Sequence, residues 1–480
     1  MTLKLYNTLT KKKEEFKPLE DGKVGIYSCG QTIYDDMHVG NAKTYAAWDI
    51  LNRYLTWKGY DVFHVMNITD VGHLTDDSDT GEDKVEKEAG RRGLEPMELV
   101  TEHIQKWYLE MKRLNMKRHN VNPRATGHMV EMIEAVKDII KNGYGYEKNG
   151  NVYFDVMKFH GEHGYPGIGS MDIEQLKAGA GGRVTEEETE EKRSPLDFAL
   201  WISAEPNHLM KWPSPWGKGY PGWHLECSVM GTKYLGERFD IHTGGVDHLF
   251  PHHPNERAQN IAMGCMDQEP VNYWLHSEHI TVDGEKMSKS KGNFYTVEDL
   301  LERYDFEVLR MFFASSHYRK QVDFNEEALR TAEGNLEKLY NTLWNIENAE
   351  GGEKEDLDKD IKEVEKRFEK AMDDDLDTPG ALNEIMKFAK RVNKNLDNRK
   401  EVLDEAKEKI QELGGVLGLK LELEEEGGKI PEEAIELLID IRDDLREEGD
   451  YERADEVREI LMNSGIELED EDGKTVWKRR

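Results

Sequence analysis

At 480 residues the chain is long enough for about three domains with cores of their own. Its 37% apolar content, with 10 Trp and 19 Tyr, excludes a disordered chain, and no run of residues reaches the length of a membrane span. With 98 acidic against 65 basic residues, the net charge of −33 repels phosphate at long range, so any nucleic-acid contact must rest on a local basic face or on screening by salt.

The segment Met1 to Tyr6 lacks the apolar core of a signal peptide, and three scattered cysteines, Cys29, Cys227 and Cys265, are too few for a disulfide framework. Both observations point to a cytosolic protein whose cysteines serve a metal or a reaction. Lys23 to Ser28 reads as a short strand delivering Cys29 and Gly30 to its carboxyl end. After His38 to Asn41, the apolar positions Tyr45, Ala46, Trp48, Ile50, Leu51 and Tyr54 recur at helical spacing until Gly59 stops the helix. Asp61 to Ile68 follows as a second strand, completing a βαβ unit whose ligands are expected at the carboxyl ends of the strands.

Residues 121–200 read as an insertion, with a short strand beside Gly143, Gly145, Gly150 and Asn151, a glycine run at Gly179 to Gly182, and an acidic, solvated loop at Glu186 to Glu191. The α/β pattern returns at Arg238 to His242. Beyond Asn293 the chain turns helical: Leu329, Leu336, Leu339, Leu343 and Ile346 share one face, and Thr378-Pro379 reads as a cap followed by proline at the first helical position. An acidic linker near Glu424 to Gly428 precedes a compact end, and no internal repeat is visible.

Two segments carry phosphate chemistry. In Lys286-Met287-Ser288-Lys289-Ser290, followed by Lys291-Gly292-Asn293, lysines bracketing small hydroxyl residues can reach the oxygens of a triphosphate, although a solvated basic loop has the same composition. Tyr34 to Lys43 places His38 at the amino end of a helix, where free amides and the dipole favour phosphate, and a surface or capping histidine is the plain alternative. Together the two segments resemble the HIGH and KMSKS motifs of class I aminoacyl-tRNA synthetases. A further set, Cys29, Cys227, His252 and Glu256, combines soft thiolates with an imidazole and a carboxylate and suits zinc. His252 and Glu256 stand four apart on an expected helix and can face one point, while a buried structural cysteine remains the commoner fate of such residues.

Cys29-Gly30, Pro221 to Ser228, Phe239 to Gly245 and Pro251 to Glu256 closely resemble the cysteinyl-tRNA synthetases, and the similarity runs from about Leu5 to Trp477. The resemblance implies an α/β fold: a Rossmann-like class I catalytic domain with an inserted subdomain, then an α-helical bundle and a small anticodon-binding domain. The expected boundaries are 1–120 and 201–267 for the two halves of the catalytic domain, 121–200 for the insertion, 268–335 for the KMSKS and stem-contact region, 336–424 for the bundle and 425–480 for the anticodon domain. It further implies one Zn2+ per subunit on Cys29, Cys227, His252 and Glu256, and an amino-acid pocket of Gly30, Thr69, Trp223 and His242. Trp223 could equally be ordinary core of a strand-rich segment. Catalysis would fall to His38, Asn41, Lys286 and Lys289, with His38, Gly40, Asn41 and Lys289 on ATP and its Mg2+. Arg446, Tyr451, Asp455 and Asp470 would meet the anticodon of tRNA(Cys), and any one of them could instead belong to a solvated charged face.

The expected product is cysteinyl-tRNA, made from L-cysteine and ATP through cysteinyl-adenylate by a cytoplasmic monomer with no membrane association. Cys265 matches no ligand position. Three residues depart from the family pattern: Asn41 replaces the final histidine of HIGH, Lys43 stands where arginine is usual, and Pro254 replaces an acidic residue between two expected ligands. Two alternatives remain: the related ligase that joins cysteine to an amino sugar, which lacks the long carboxyl-terminal region, and a non-catalytic tRNA-binding paralogue, suggested by Asn41.

Overall fold

The computed structural model describes residues 2–71, 83–169, 172–180, 191–264, 266–287, 292–423, 432–471 and 474–479. The chain divides into two compact units, Met1–Leu421 and Glu422–Arg480.

At the heart of the larger unit lies a four-stranded sheet in the order Val271–Ser277, Phe239–Gly245, Lys23–Ser28, Asp61–Met66, with every pair parallel. Its two inner strands and Val271–Ser277 are largely buried, as expected where both faces of a parallel sheet are covered, while the edge strand Asp61–Met66 is buried only in its second half. Parallel pairing brings all four carboxyl ends to one edge. Ile26 pairs with Ile241 and Val24 with Val62, so Cys29, Asn67 and the turn after Gly245 emerge side by side.

The helix Val39–Trp57 buries Val39, Ala42, Ala46, Ile50, Leu51 and Leu55 and ends beside Gly59 at φ +93°. The one buried carboxylate on its inner face, Asp49, is paired with Arg53 at 2.8 Å and with the fully buried Arg310 at 2.7 Å. Arg310 also donates to Leu417 O at 3.0 Å, and a Cβ on Gly418 would collide with its guanidinium. Only glycine fits that approach.

The insertion folds as a five-stranded antiparallel sheet. Two of its strands, Trp212–Ser214 and Gly217–Pro221, lie beyond residue 200, so the subdomain runs on into the segment that the sequence assigned to the returning catalytic half. Alternation alone did not reveal them, because both strands are short and rich in Gly and Pro. Glu186 to Glu190 lie outside the described residues, while Glu191 accepts from Asn149, Asn151 and Tyr153.

Four helices follow, Glu326–Glu347, Leu357–Met372, Thr378–Val392 and Lys400–Val416, and Leu329, Leu336, Leu339, Leu343 and Ile346 are buried as their spacing required. The cap of the third is Asp377 rather than Thr378: its carboxylate accepts from Gly380 N–H, and the proline sits within the first turn. In the second unit, helices Glu432–Glu448 and Tyr451–Asn463 pack with the hairpin of Ile466–Glu471 and Lys474–Arg479 over Ile435, Ile439, Leu461, Ile466 and Leu468. Among the described residues no helix is long and apolar enough to cross a membrane.

Candidate active site

A cavity of 450 Å³ opens at the carboxyl edge of the parallel sheet, with His38, Asn41 and Phe294 on one wall and Cys29, Cys227 and His252 at another. His38 is the N-cap of the Val39–Trp57 helix, and Asn41 answers it in a reciprocal capping box. Gly40 contributes by its smallness, since a Cβ there would stand 3.0 Å from His38 Nδ1. The expected phosphate wall is thus a helix amino terminus whose first residues are held open to the cavity.

Of the lysine-rich segment the structure describes the two ends. Lys286 ends a short strand, Glu285–Lys286, that pairs antiparallel with Ile280–Val282, whereas Lys289 lies outside the described residues. Where the chain returns, Val39 N–H donates to Tyr295 O and Val297 N–H to Met37 O, and the His38 and Phe294 rings meet edge to face at 5.4 Å. On the approach side, the buried Lys43 ammonium donates to Glu278 O at 2.5 Å and Lys320 O at 3.3 Å, and burial brings its pKa down to about 8. Both feet of the loop therefore stand on the segment that carries His38. Glu110, which the sequence did not single out, is 2% exposed beneath Met37, and burial first, with Asp36 and Glu298 adding to it against Lys106, pushes its carboxyl up to about 7.

On the opposite wall the structure gathers residues far apart in the chain. Cys29 Sγ and Cys227 Sγ are 3.9 Å apart across a separation of 198 residues, Cys29 Sγ lies 3.6 Å from Glu256 Oε1, and His252 Nε2 lies 3.0 Å from the same oxygen. The cysteines are free thiols, well beyond the ~2.05 Å of a disulfide. Two sulfurs on a tetrahedral zinc with bonds of about 2.3 Å stand about 3.8 Å apart, so the donor set and its spacing fit that ion.

The ionisable groups of the cluster act strongly on one another. Burial opposes the Cys227 thiolate, yet the Cys29 thiol and the His252 imidazolium bring its pKa down to about 6. Burial and the neighbouring Cys227 and Glu256 push Cys29 well up. Against burial, His242 and His252 hold Glu256 well below the usual carboxylate range, and Glu256 with Cys227 raises His252 to about 10.

A second quartet, Cys29, His242, His253 and Glu256, is equally close-knit. Cys29, Cys227 and His252 line the cavity, whereas His242 and His253 stand behind it. His253 Nδ1 is engaged by His276 Nε2 at 2.8 Å, and His276 Nδ1 by Thr8 at 2.9 Å. Among the described residues the first quartet gives the cavity three lining side chains, Cys29, Cys227 and His252, and the second gives it Cys29 alone.

Of the expected amino-acid pocket, Gly30, Thr69 and Trp223 line the cavity and His242 does not. His242 is 1% exposed and bonds Glu256 Oε2 at 2.8 Å, which makes it a support of that carboxylate rather than a wall of the pocket. Trp223 is not strand core either: it opens the helix Trp223–Leu235 and lies half-buried, its ring 4.5 Å from that of His252. His224 Nδ1 contacts His252 Nδ1 at 2.8 Å and so turns Nε2 toward the thiols.

Asn67 and Glu226, both buried against Thr69, are site residues that sequence reasoning missed. Their signals were Asn67's place at the end of a strand and an acid set beside Cys227. In the separate carboxyl-terminal unit Arg446, Tyr451 and Asp455 are exposed, the last two one turn apart on one helix face. Asp470 falls in the strand Ile466–Glu471, with its side chain outside the described residues, as is Cys265.

Comparison with known proteins places these features. The family described as the class I (C) tRNA synthetase catalytic domain matches residues 15–334, and the DALR domain matches residues 367–422, from within the second of the four helices to just past the fourth. The chain is 44% identical to the cysteine–tRNA ligase of Thermococcus gammatolerans, over 100% of this chain and 99% of the relative. It is 43% identical to that of Chlorobaculum tepidum over the same shares. Among solved structures it resembles the Mycobacterium tuberculosis methionyl-tRNA synthetase in complex with methionyl-adenylate, with a TM-score of 0.60 at 15% identity, over 82% of this chain and 93% of that one.

Proposed function

This chain belongs to the cysteine–tRNA ligases among the class I tRNA synthetases, and from that premise we propose how its residues divide the work. The enzyme ligates cysteine to tRNA at the expense of ATP. In the first step a cysteine carboxylate oxygen attacks the α-phosphorus of ATP and pyrophosphate leaves, accompanied by Mg2+. His38 and the helix amino terminus stabilise the phosphate oxygens, with Asn41 holding His38 in place and Lys286 and Lys289 closing from the loop. In the second step a ribose hydroxyl at the tRNA 3′ end attacks the carbonyl carbon of cysteinyl-adenylate and AMP leaves.

Cys29, Cys227, His252 and Glu256 would hold one Zn2+, which when bound favours a thiolate over a neutral hydroxyl and so reads cysteine against serine. His224 and His242 orient the ligands, and Gly30, Thr69 and Trp223 form the remaining pocket. The observation that carries this reading is the opening of the paired thiols into the same cavity as His38. In the carboxyl-terminal unit Arg446, Tyr451, Asp455 and Asp470 would meet the anticodon. We further propose a cytoplasmic monomer.

Cysteine-dependent exchange of pyrophosphate into ATP tests the adenylate step, and its absence would refute the assignment of the site. Transfer to tRNA(Cys) rather than to an amino sugar then decides the acceptor. Asn41 does not favour a non-catalytic paralogue, because it completes the cap instead of breaking it.

A further inference from the structure

A closed circuit of bonds runs from one thiol of the cluster to the other. Cys29 leads to Gly30, whose N–H donates to Asn67 Oδ1 at 2.8 Å; Asn67 Nδ2 donates to Thr69 Oγ1 at 3.0 Å; and the Thr69 hydroxyl donates to Glu226 Oε2 at 2.9 Å. Glu226 immediately precedes Cys227, whose sulfur returns to within 3.9 Å of Cys29. Asn67, Thr69 and Glu226 are 1%, 2% and 0% exposed, and a Cβ on Gly30 would stand 1.8 Å from Asn67 O, so the circuit has no slack.

The proton count at Thr69 follows from this arrangement. A hydroxyl has one proton and two lone pairs. Here the proton goes to Glu226 and one lone pair takes the Asn67 amide, which leaves one lone pair and no donor toward the cavity that Thr69 lines. Glu226 Oε1 has no hydrogen-bond partner among the described residues, so Oε2, the acceptor of the Thr69 proton, carries the whole of the Glu226 link to the circuit. An oxygen that can only accept selects an ammonium and turns away a carboxylate.

We propose that Glu226 is a positioning residue that fixes Thr69 as the acceptor for the substrate's α-ammonium, and that the circuit through both thiols sets the span between thiol and ammonium. This rests on the reading of the cysteine cluster as a thiol-binding metal centre. A metal accepts the thiolate of cysteine and of homocysteine alike, so rejection of the amino acid that is one methylene longer must come from a fixed distance between the two ends. A span of this kind discriminates by about 10- to 200-fold.

The test compares Glu226→Leu and Glu226→Gln with the wild-type holoenzyme, measuring zinc per chain, calorimetric cysteine binding, and KM values for cysteine, homocysteine, serine and ATP in pyrophosphate exchange. In E226L the affinity and KM for cysteine should weaken about tenfold and the preference over homocysteine shrink about tenfold, while zinc content, the preference over serine and the ATP KM stay within twofold. E226Q, which keeps an acceptor oxygen for Thr69, should remain within about threefold of wild type. Unchanged cysteine binding and homocysteine preference in E226L would overturn the proposal, as would equal losses for cysteine and ATP shared by both variants. If E226L does not fold or hold metal, Glu226→Asp withdraws the acceptor by one methylene, and an unchanged cysteine KM there overturns it as well. A wild-type enzyme that carries no zinc yet still rejects serine would instead refute the metal reading, independently of these ratios.

Discussion

Asn41 and His38 close the start of one helix against each other: Asn41 N–H donates to His38 Nδ1 at 3.2 Å, and His38 N–H donates to Asn41 Oδ1 at 3.3 Å. With Nδ1 accepting, a neutral His38 carries its proton on Nε2, where it can serve a phosphate oxygen. The residue that departs from the final histidine of HIGH is thus a structural element of that wall.

Two substitutions separate the cap from the charge. Asn41→Ala should cost about 1 kcal/mol of stability and reduce exchange, because His38 loses its brace. Asn41→Asp should keep the cap and the melting temperature, since a carboxylate suits a helix amino terminus, yet raise the KM for ATP at least about tenfold by repelling phosphate. Thermal melts and exchange kinetics on both variants check this, and an aspartate variant with an unaltered ATP KM would place Asn41 away from the phosphates.

Metal analysis distinguishes the two quartets. Cys227→Ser should lose the ion and with it the preference for cysteine over serine. His253→Ala should keep at least about half the metal, because its ring stands behind the cavity and is engaged by His276. The reverse pattern would move the ion to the inner quartet.

Glu110 provides a pH test. Its folded pKa of about 7 lies above the unfolded 4.5, so its neutral form is favoured in the fold; the associated stability is fully present below 4.5 and is lost as pH rises through 7. Glu110→Gln, which mimics the neutral acid, should match wild type at pH 4.5 and exceed it at pH 8 by up to about 3 kcal/mol. Urea unfolding at the two pH values checks the difference, and a gap independent of pH would refute the cause.

The proposed anticodon contacts predict a split between the two half-reactions. Arg446→Glu and Asp455→Ala should raise the KM for tRNA about tenfold and leave pyrophosphate exchange unchanged, since both residues lie in a unit separate from the cavity. Loss of exchange in either variant would argue for a structural role.

What could be read from the residues was local. The cap at His38, the inward face of Leu329 to Ile346 and the one-turn spacing of His252 and Glu256 are each properties of a few turns of helix, where 3.6-residue periodicity decides which side chains meet. Even the local reading slipped where two cap candidates were adjacent, because Asp377 and Thr378 differ only in which carries the first helical dihedrals.

Family resemblance pointed to Cys29 and Cys227 together, but composition and spacing could not, since neither cysteine has a ligand partner nearby in the chain. Their 3.9 Å approach depends on the strand order that sets Lys23–Ser28 beside Phe239–Gly245, and that order is a long-range packing outcome. His242 behind Glu256, and Asn67 and Glu226 around Thr69, were decided the same way. The sequence by itself determined the helices, their faces and the chemical types available for ATP and metal. The tertiary structure alone decided which of them share a cavity, because buried polar groups take whatever partners the sheet brings within hydrogen-bond reach.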